Sequence, residues 1–359
     1  MNAVTASLEW TDVKGLPVSY AIGDDILNLR PAPRPGHVIY CTHQPLRDRV
    51  LKDTGLKLED AWECDLTWNT HDGPRPWSEL GRVTDMGHAE FLADGSDRRD
   101  PAACPFKTVV EARAFDAVSE YGLPDVDALA VFYSGVYRDA RCAYPNQVVT
   151  GGYYKTLISG AIEIFGWDML LQLAADQDVF ERVLDTIFAV TQRHCEAWSR
   201  TEIDVFLLHD DMVWSRGPFM DPLFYRRVVF PSYARVVRMM HEAGKKVLFC
   251  SDGNWTVFID DVAGTGADGF IFESVVPLQA MADRFGRTHV LVGSAVDCRT
   301  LTFGGPDAIR AEIDATLEVA AGCPGLFIAV GNHIPGNVPV DNALFYFDYL
   351  RRHWLRAGR

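Results

Sequence analysis

The chain has 359 residues, with 49 acidic and 34 basic side chains, and its formal net charge is −15. That charge repels polyanions, and Lys and Arg form no basic stripe, so we do not expect nucleic-acid binding. No apolar run approaches the ~20 residues of a membrane-spanning helix, and the N-terminus lacks a basic start followed by an apolar core. We therefore expect a cytoplasmic protein.

The cysteine pattern argues against a disulfide framework. Eight cysteines are spread over the chain without a Cys-x-x-Cys pair, at positions 41, 64, 104, 142, 195, 250, 298 and 323. Such scattered thiols are typical of a reducing compartment, and the spacing excludes a zinc ribbon or finger.

Short β-rich runs alternate with long amphipathic segments. The predicted strands are 38–41, 62–68, 147–151, 204–208, 246–250, 269–273, 289–293 and 326–330. Eight strands separated by helices predict one α/β domain over residues 1–359, a (β/α)8 TIM barrel with an N-terminal extension. The first two strands have the weakest patterns.

The helices between the strands have clear start and stop signals. Asp176 is a plausible N-cap for a helix over 175–200, and Pro231 should kink the helix over 222–244. Pro306 at a first helical turn and Gly322 as a stop bound a further helix. Residues 69–104 do not fit the alternation and predict a long excursion over the barrel mouth, with His71, Asp85 and His88 as candidates for a lid.

Polar residues follow most of the predicted strands. These are Tyr153 and Tyr154; His209, Asp210 and Asp211; Ser251 and Asp252; Glu273 and Ser274; Asp297 and Arg299; and Asn332 and His333. In a TIM barrel the loops after the strands build the active site, so we expect these side chains to share one pocket, with Cys250 and Asp252 forming one wall.

Several of these residues have alternative interpretations. Asp210, Asp252 and Asp297 could each cap a helix, because Asp after a strand is a favoured N-cap. Cys250 could be a small buried apolar residue. Of Tyr153 and Tyr154, we expect one to line the pocket and the other to pack, and His209 could support a catalytic neighbour. The carboxylates, thiol and imidazole could bind Zn²⁺ or a harder cation, or act as general acids and bases.

Four segments carry a family resemblance. They are "GGYYKTLISGAIEIFGWDMLLQLAADQDVFERVLD", "HDDMVWSRGPFMDPLFYRRVVFPSYARVV" with "EAGKKVLFCSDGN", "VGSAVDCRTLTFGGPDAIRAEI" and "GNHIPGNVPVDN". Over roughly residues 100–355 the chain resembles the uroporphyrinogen decarboxylase superfamily, especially its divergent branches related to corrinoid-dependent methyltransferases. The resemblance implies a (β/α)8 barrel.

The resemblance implies one of two chemistries. The decarboxylases work without a cofactor, using N-terminal arginines and an aspartate late in the second strand. Here "RPAPRPGHVIYCTHQPLRD" lacks the arginine-rich signature, although Arg47 and Arg49 are near, and the aspartate position falls near Thr67, with Asp65 as neighbour. The methyltransferases hold zinc with a His-x-Cys pair and a later cysteine, where this chain has Cys250-x-Asp252 and Asn332-His333.

These observations predict a role for each residue. We predict Asp211, Asp252, Glu273 and His333 as catalytic, and Cys250, Asp252 and His333 as ligands of a divalent metal, with zinc favoured by mixed S, O and N donors. The predicted substrate-binding residues are Tyr153, Tyr154, His209, Asp210, Asp297 and Arg299.

Three functions remain open from the sequence. The first is methyl transfer between a small methylated substrate and a separate corrinoid protein, assisted by a metal. The second is cofactor-free decarboxylation of a small acid, with Arg299 anchoring a carboxylate and His333 or Asp211 protonating the carbanion. The third, a non-enzymatic scaffold, gives no reason for the polar strand ends.

Overall fold

The computed structural model of the protein describes residues 18–74, 92–93 and 104–355. Its strands are β1 (Gly36–His37), β2 (Leu66–Thr67), β3 (Val148–Val149), β4 (Gly151–Tyr153), β5 (Val205–His209), β6 (Lys246–Ser251), β7 (Gly269–Phe272), β8 (Val290–Val296) and β9 (Leu326–Val330). Seven strands form a parallel sheet in the order β1-β9-β8-β7-β6-β5-β4, and β2 pairs with β3.

The nine short strands occupy eight positions around a parallel barrel. Thr150 alone separates β3 from β4, so these two strands share one position. The N–H of Asp65, just before β2, donates to the carbonyl of His37 at the end of β1 (2.8 Å), which links the two ends of the arrangement. The predicted (β/α)8 TIM barrel is confirmed.

Two predicted strands differ from those in the structure. The first was expected over 38–41, but β1 is Gly36–His37, and beyond it Val38 and Cys41 keep only single contacts with the β9 side. The second was expected over 62–68, but a short helix and turn precede Leu66 and shorten β2.

The described helices are α1 (Val18–Leu27), α2 (Gln44–Thr54), α3 (Leu58–Ala61), α4 (Val109–Arg113), α5 (Ala117–Tyr121), α6 (Val126–Ala143), α7 (Ile158–Ala174), α8 (Gln177–Ser199), α9 (Pro222–Phe224), α10 (Phe230–Glu242), α11 (Ile259–Gly264), α12 (Leu278–Phe285), α13 (Cys298–Phe303), α14 (Pro306–Ala320) and α15 (Val340–His353). No helix in this part of the chain is long and apolar enough to cross a membrane.

The predicted helix signals are confirmed. Asp176 caps α8 by accepting the N–H of Val179, and Pro306 begins α14, which ends two residues before Gly322. Pro231 lies at the start of α10, directly after a single π-helical turn over Tyr225–Val229. Proline cannot donate the next helical hydrogen bond, so the helix changes pitch there.

Alternating side chains along each strand separate two apolar cores. Val205 and Leu207 on β5 belong to the barrel interior, whereas Phe206 and Leu208 pack against the surrounding helices. The same alternation continues past the strand end, because the backbone pleat has a period of two. It therefore fixes which polar residues enter the barrel mouth.

The excursion after β2 begins at the carboxyl ends of the strands. The N–H of His71 donates to the carbonyl of Gly152 on β4 (3.0 Å), so this first part lies beside the mouth. The lid candidates Asp85 and His88, and the N-terminal extension over 1–17, lie outside the described residues.

A buried ion pair lies at the opposite end of the barrel from the mouth. Arg34 and Asp65 precede β1 and β2, and Arg34 Nη1 lies 2.6 Å from Asp65 Oδ2, with side-chain exposures of 5% and 0%. Burial raises the pKa of Asp65 to about 6, and Arg34 opposes that rise. Asp65 therefore has no part in the mouth, and the structure gives it a structural role.

We predict that Asp65→Ala lowers the free energy of unfolding by about 3–5 kcal/mol, because it leaves Arg34 buried without its counter-charge. Urea unfolding at pH 7.5 measures the change. The matched control is Asp53→Ala, which breaks the exposed Arg49–Asp53 pair and should barely move the midpoint. Equal losses in the two variants would contradict the structural role of Asp65.

Candidate active site

The three polar residues after β5 separate to opposite sides of the strand. Continuing the alternation from Leu207 places His209 and Asp211 in the barrel mouth and sends Asp210 outward to the helices. Asp210 is fully buried there, where it accepts N–H groups of residues 157, 158 and 159 at 2.7–3.1 Å and the hydroxyl of Tyr233. It therefore anchors the start of α7, which corrects the prediction that it binds substrate.

Asp297 also caps a helix, which was one of its two predicted roles. Its Oδ1 accepts the N–H of Arg299 at 2.7 Å, which caps α13, and its own N–H donates to Glu312 Oε2 at 2.7 Å. A register shift at the end of β8 precedes it. Arg299 lies exposed on the first turn of α13. Both residues thus belong to a helix start at the edge of the mouth.

Four side chains meet at the centre of the mouth, and we call Asp211, Asp252, Glu273 and Asn332 the acid cluster. The N–H of Asp252 donates to Asp211 Oδ1 (3.0 Å), and the N–H of Gly253 donates to Glu273 Oε2 (2.6 Å). These two hydrogen bonds join the loop after β6 to the residues that follow β5 and β7. Asp252 caps no helix, in contrast to Asp210 and Asp297.

Asn332 bridges the carboxyl groups of Asp252 and Glu273. Its Nδ2 lies 2.7 Å from Asp252 Oδ2 and 3.1 Å from Glu273 Oε1. Its backbone has a φ of 62°, a left-handed conformation that asparagine tolerates better than most residues. Its Oδ1 accepts from Nδ1 of the buried His333 at 2.5 Å. The sequence placed Asn332 in this turn but gave no sign of its bridging amide.

The three carboxyl groups have unequal proton affinities. Burial favours the neutral form of Asp211, but attraction to His209, the N–H of Asp252 and the hydroxyl of Tyr154 outweigh it and lower its pKa. Burial, then Glu273 and Asp211, raise the pKa of Asp252 well above its usual range. Burial also raises the pKa of Glu273 against the opposing Gly253 N–H and Asn332. The surroundings therefore favour the ionised form of Asp211 and the neutral form of Asp252, and they also raise the proton affinity of Glu273.

Five rings run in succession around the other side of the mouth, and we call them the aromatic arc. The centroid distances are 4.0 Å for Tyr154–His209, 5.6 Å for His209–Trp68, 6.4 Å for Trp68–Tyr40 and 5.7 Å for Tyr40–His333. The hydroxyl of Tyr154 donates to Asp211 Oδ2 at 2.7 Å, which joins the arc to the acid cluster. The sequence did not single out Tyr40 or Trp68, since both follow the weak first strands.

Tyr153 lies outside this arrangement. It is buried against the helices, where its ring stacks on His194 with centroids 4.8 Å apart. Adjacent residues of a strand point to opposite faces, so Tyr154 enters the mouth and Tyr153 does not. The structure therefore separates this pair and corrects the prediction of Tyr153 as a substrate-binding residue.

The predicted metal ligands do not form a metal site. Cys250 is buried in the barrel interior among apolar residues, and burial, then Asp252, raise the pKa of its thiol well above the usual range. His333 Nδ1 bonds to Asn332, whose amide nitrogen lies between Asp252 and Glu273. Within residues 18–74, 92–93 and 104–355, no group of three or more His, Cys, Asp or Glu could hold a metal. Cys250, Asp252 and His333 thus do not fit a zinc ion.

Comparison with known proteins identifies the family of this chain. The model of the uroporphyrinogen decarboxylase family matches residues 166–353, which include the whole acid cluster. The chain belongs to the uroporphyrinogen decarboxylase family. Its match with the decarboxylase of Citrifermentans bemidjiense has 25% identity over 178 residues, 50% of each chain. Its match with the decarboxylase of Burkholderia thailandensis has 23% identity over 251 residues, which are 66% of this chain and 67% of the relative.

A solved structure shares the fold over nearly the whole chain. A methyltransferase from Methanosarcina mazei superposes with a TM-score of 0.60 at 14% identity, covering 94% of this chain and 99% of its own. By contrast, the match spans only about half the length of the first curated relatives. At this identity the likeness establishes the fold and nothing about the reaction.

We predict opposite effects on stability for two amide substitutions. The folded-state pKa of Asp252 is raised, so stability falls as pH rises through that pKa, and Asp252→Asn should stabilise the protein at pH 8 relative to the wild type. The folded-state pKa of Asp211 is lowered, so its contribution is present above the unfolded pKa and lost as pH falls, and Asp211→Asn should destabilise the protein at pH 8.

Urea unfolding of both variants and the wild type at several pH values between 4 and 8 measures these differences. Both differences should shrink towards pH 4. Destabilisation by Asp252→Asn at pH 8 would show that the folded protein stabilises the ionised form of Asp252, contrary to its raised pKa.

Proposed function

We propose that the protein is a methyltransferase that moves a methyl group between a small methylated substrate and a separate corrinoid protein. Membership of an enzyme family and the polar barrel mouth support catalysis over a scaffold role. The fold likeness to the Methanosarcina methyltransferase supports this branch of the family by analogy.

The observation that carries the proposal is the position of Asp252 beside Asp211 and Glu273, where burial and the two neighbouring carboxyl groups raise its pKa. A heteroatom that loses its methyl group keeps the bonding electron pair and needs positive charge or a proton to leave. Asp252 lies where a neutral carboxyl group can supply that proton, which makes it the general acid. The corrinoid of the partner, when bound, would supply the electron pair that accepts the methyl group.

The other residues of the mouth hold this acid in position. Asn332 fixes the spacing of Asp252 and Glu273, and the N–H of Gly253 orients Glu273. Asp211 is held by Tyr154 and by the N–H of Asp252, so its negative charge stays next to the proton donor and favours the protonated form. None of these hydrogen bonds requires a metal ion.

A second candidate is cofactor-free decarboxylation of a small acid. The match to decarboxylases and the same Asp252 proton favour it, because the carbanion left by carbon dioxide must be protonated. In this reaction Asp252 would replace His333 and Asp211 as the donor. Arg299 would have to reach the substrate's carboxylate from the exposed start of α13.

We predict that the purified protein removes methyl groups from small methylated compounds when reduced free cobalamin replaces the partner. Amines, ethers and thioethers with a ¹³C-labelled methyl group are offered separately, and proton NMR follows the demethylated product. Asp252→Asn should slow the reaction by about 10²–10⁴-fold, the usual contribution of a general acid. The matched control is Asp185→Asn on the exposed face of α8, which should keep the wild-type rate.

The same preparations are incubated with uroporphyrinogen and with small carboxylic acids while released carbon dioxide is measured. Carbon dioxide release without methyl transfer would replace the proposal with the second candidate.

A further inference from the structure

The barrel mouth has an aromatic side and an acidic side. The rings of the aromatic arc follow β9, β1, β2 and β4 or end β5, and the carboxyl groups of the acid cluster follow β5, β6 and β7. Since the strands are ordered around a barrel, the two sets lie on opposite sides of one opening. A ligand between the two sets would meet aromatic rings on one side and carboxyl oxygens on the other.

This combination matches an organic cation. Ring faces attract cations through their quadrupole, and aromatic residues around an ammonium group are the usual way proteins recognise methylated nitrogen. Three half-buried carboxyl groups are costly unless a positive charge or hydrogen-bond donors compensate them. A neutral ether or thioether would use the rings but would add no positive charge beside the carboxyl groups.

The basic side chains beside the mouth leave Asp252 and Glu273 without a paired cation among the described residues. Lys155, next to Tyr154, lies 2.6 Å from Glu163 and 3.5 Å from Asp72 and pairs with those acids. His209 lies 3.3 Å from Asp211 and lowers the pKa of that carboxyl group. An ammonium group in the mouth would supply positive charge to Asp252 and Glu273.

We propose that the substrate is a small methylated amine bound as its ammonium cation, with its methyl groups against the aromatic arc and its nitrogen towards Asp252 and Glu273. This inference rests on the proposed function and specifies its substrate class. An amine that arrives neutral takes the proton of Asp252, the general acid of the proposed function, and so becomes the bound cation. Asp252 is then ionised beside the ammonium group.

The charge of such a substrate also activates it. When the C–N bond breaks, the electron pair stays on nitrogen and the product leaves as a neutral amine, while the methyl group bonds to the electron pair of the corrinoid acceptor. A nitrogen that is already positive needs no further Lewis acid to become a leaving group.

The experiment compares choline with 3,3-dimethylbutan-1-ol, which has the same shape but carbon in place of the charged nitrogen. Isothermal titration calorimetry at pH 8 measures the affinity of the whole chain for each, with trimethylamine and tetramethylammonium as further probes. We expect the ammonium probes to bind at least tenfold more tightly than the neutral alcohol.

Two variants locate the binding site. Trp68→Leu removes a ring of the arc, and Glu273→Gln removes a charge, and each should weaken ammonium binding about tenfold or more. Trp68→Phe should recover part of the loss because it restores a ring. The matched control is Tyr349→Leu on α15, a ring in the outer helical layer, which should leave the affinity unchanged. Circular dichroism and the melting temperature show whether each variant is folded.

The outcomes separate this inference from the proposed function. Equal affinity for choline and the neutral alcohol, or no binding of any ammonium probe at 10 mM, would overturn the cationic substrate; methyl transfer from an ether would still stand as the function. Tight ammonium binding that depends on Trp68 and Glu273, without methyl transfer from any substrate, would support the cation site and contradict the methyltransferase.

Discussion

Parallel strands send successive side chains to opposite faces, and this alternation determines which polar residues of the barrel meet. On β5 it places Asp211 in the mouth and Asp210 among the helices, although the two are neighbours in sequence. On β6 it places Cys250 in the apolar interior and Asp252 two residues further along, half-buried in the mouth. The chemistry of the mouth therefore depends on backbone register before it depends on residue type.

Bringing three carboxyl groups together has a cost that the surrounding backbone offsets. The N–H groups of Asp252 and Gly253 and the amide of Asn332 all donate into the acid cluster. Asn332 reaches its position through a left-handed backbone, a conformation that costs roughly 1–3 kcal/mol for residues other than glycine. A Cβ atom on the preceding Gly331 would lie 2.4 Å from Ser294 Oγ, so a larger residue there would have to displace that hydroxyl group. Such strain is maintained only where the neighbouring structure fixes the turn.

The sequence predicted the barrel and the strand ends that carry Asp211, Asp252 and Glu273, because strong apolar runs mark the late strands. It assigned Asp210 to the substrate although counting by two from Leu207 sends it to the helices. The rings of Tyr40 and Trp68 could not be predicted, since they meet His333 and His209 through contacts between segments far apart in the chain. The spacing of Cys250 and Asp252 likewise indicated the ligand types but not the depth of the thiol, which lies in the apolar interior.

The two sides of the mouth come from different parts of the chain. The acid cluster lies entirely within residues 166–353, the segment that matches the family, whereas Tyr40, Trp68 and Tyr154 precede it. In a barrel whose strands share one scaffold, loops can change the bound molecule while the reacting groups stay in place. In the function that we propose, the acid cluster supplies a proton and the aromatic arc selects the molecule that receives it. A substrate class specific to this protein would therefore be decided by the rings, and a change to Trp68 should alter which molecule binds more than how its bond breaks.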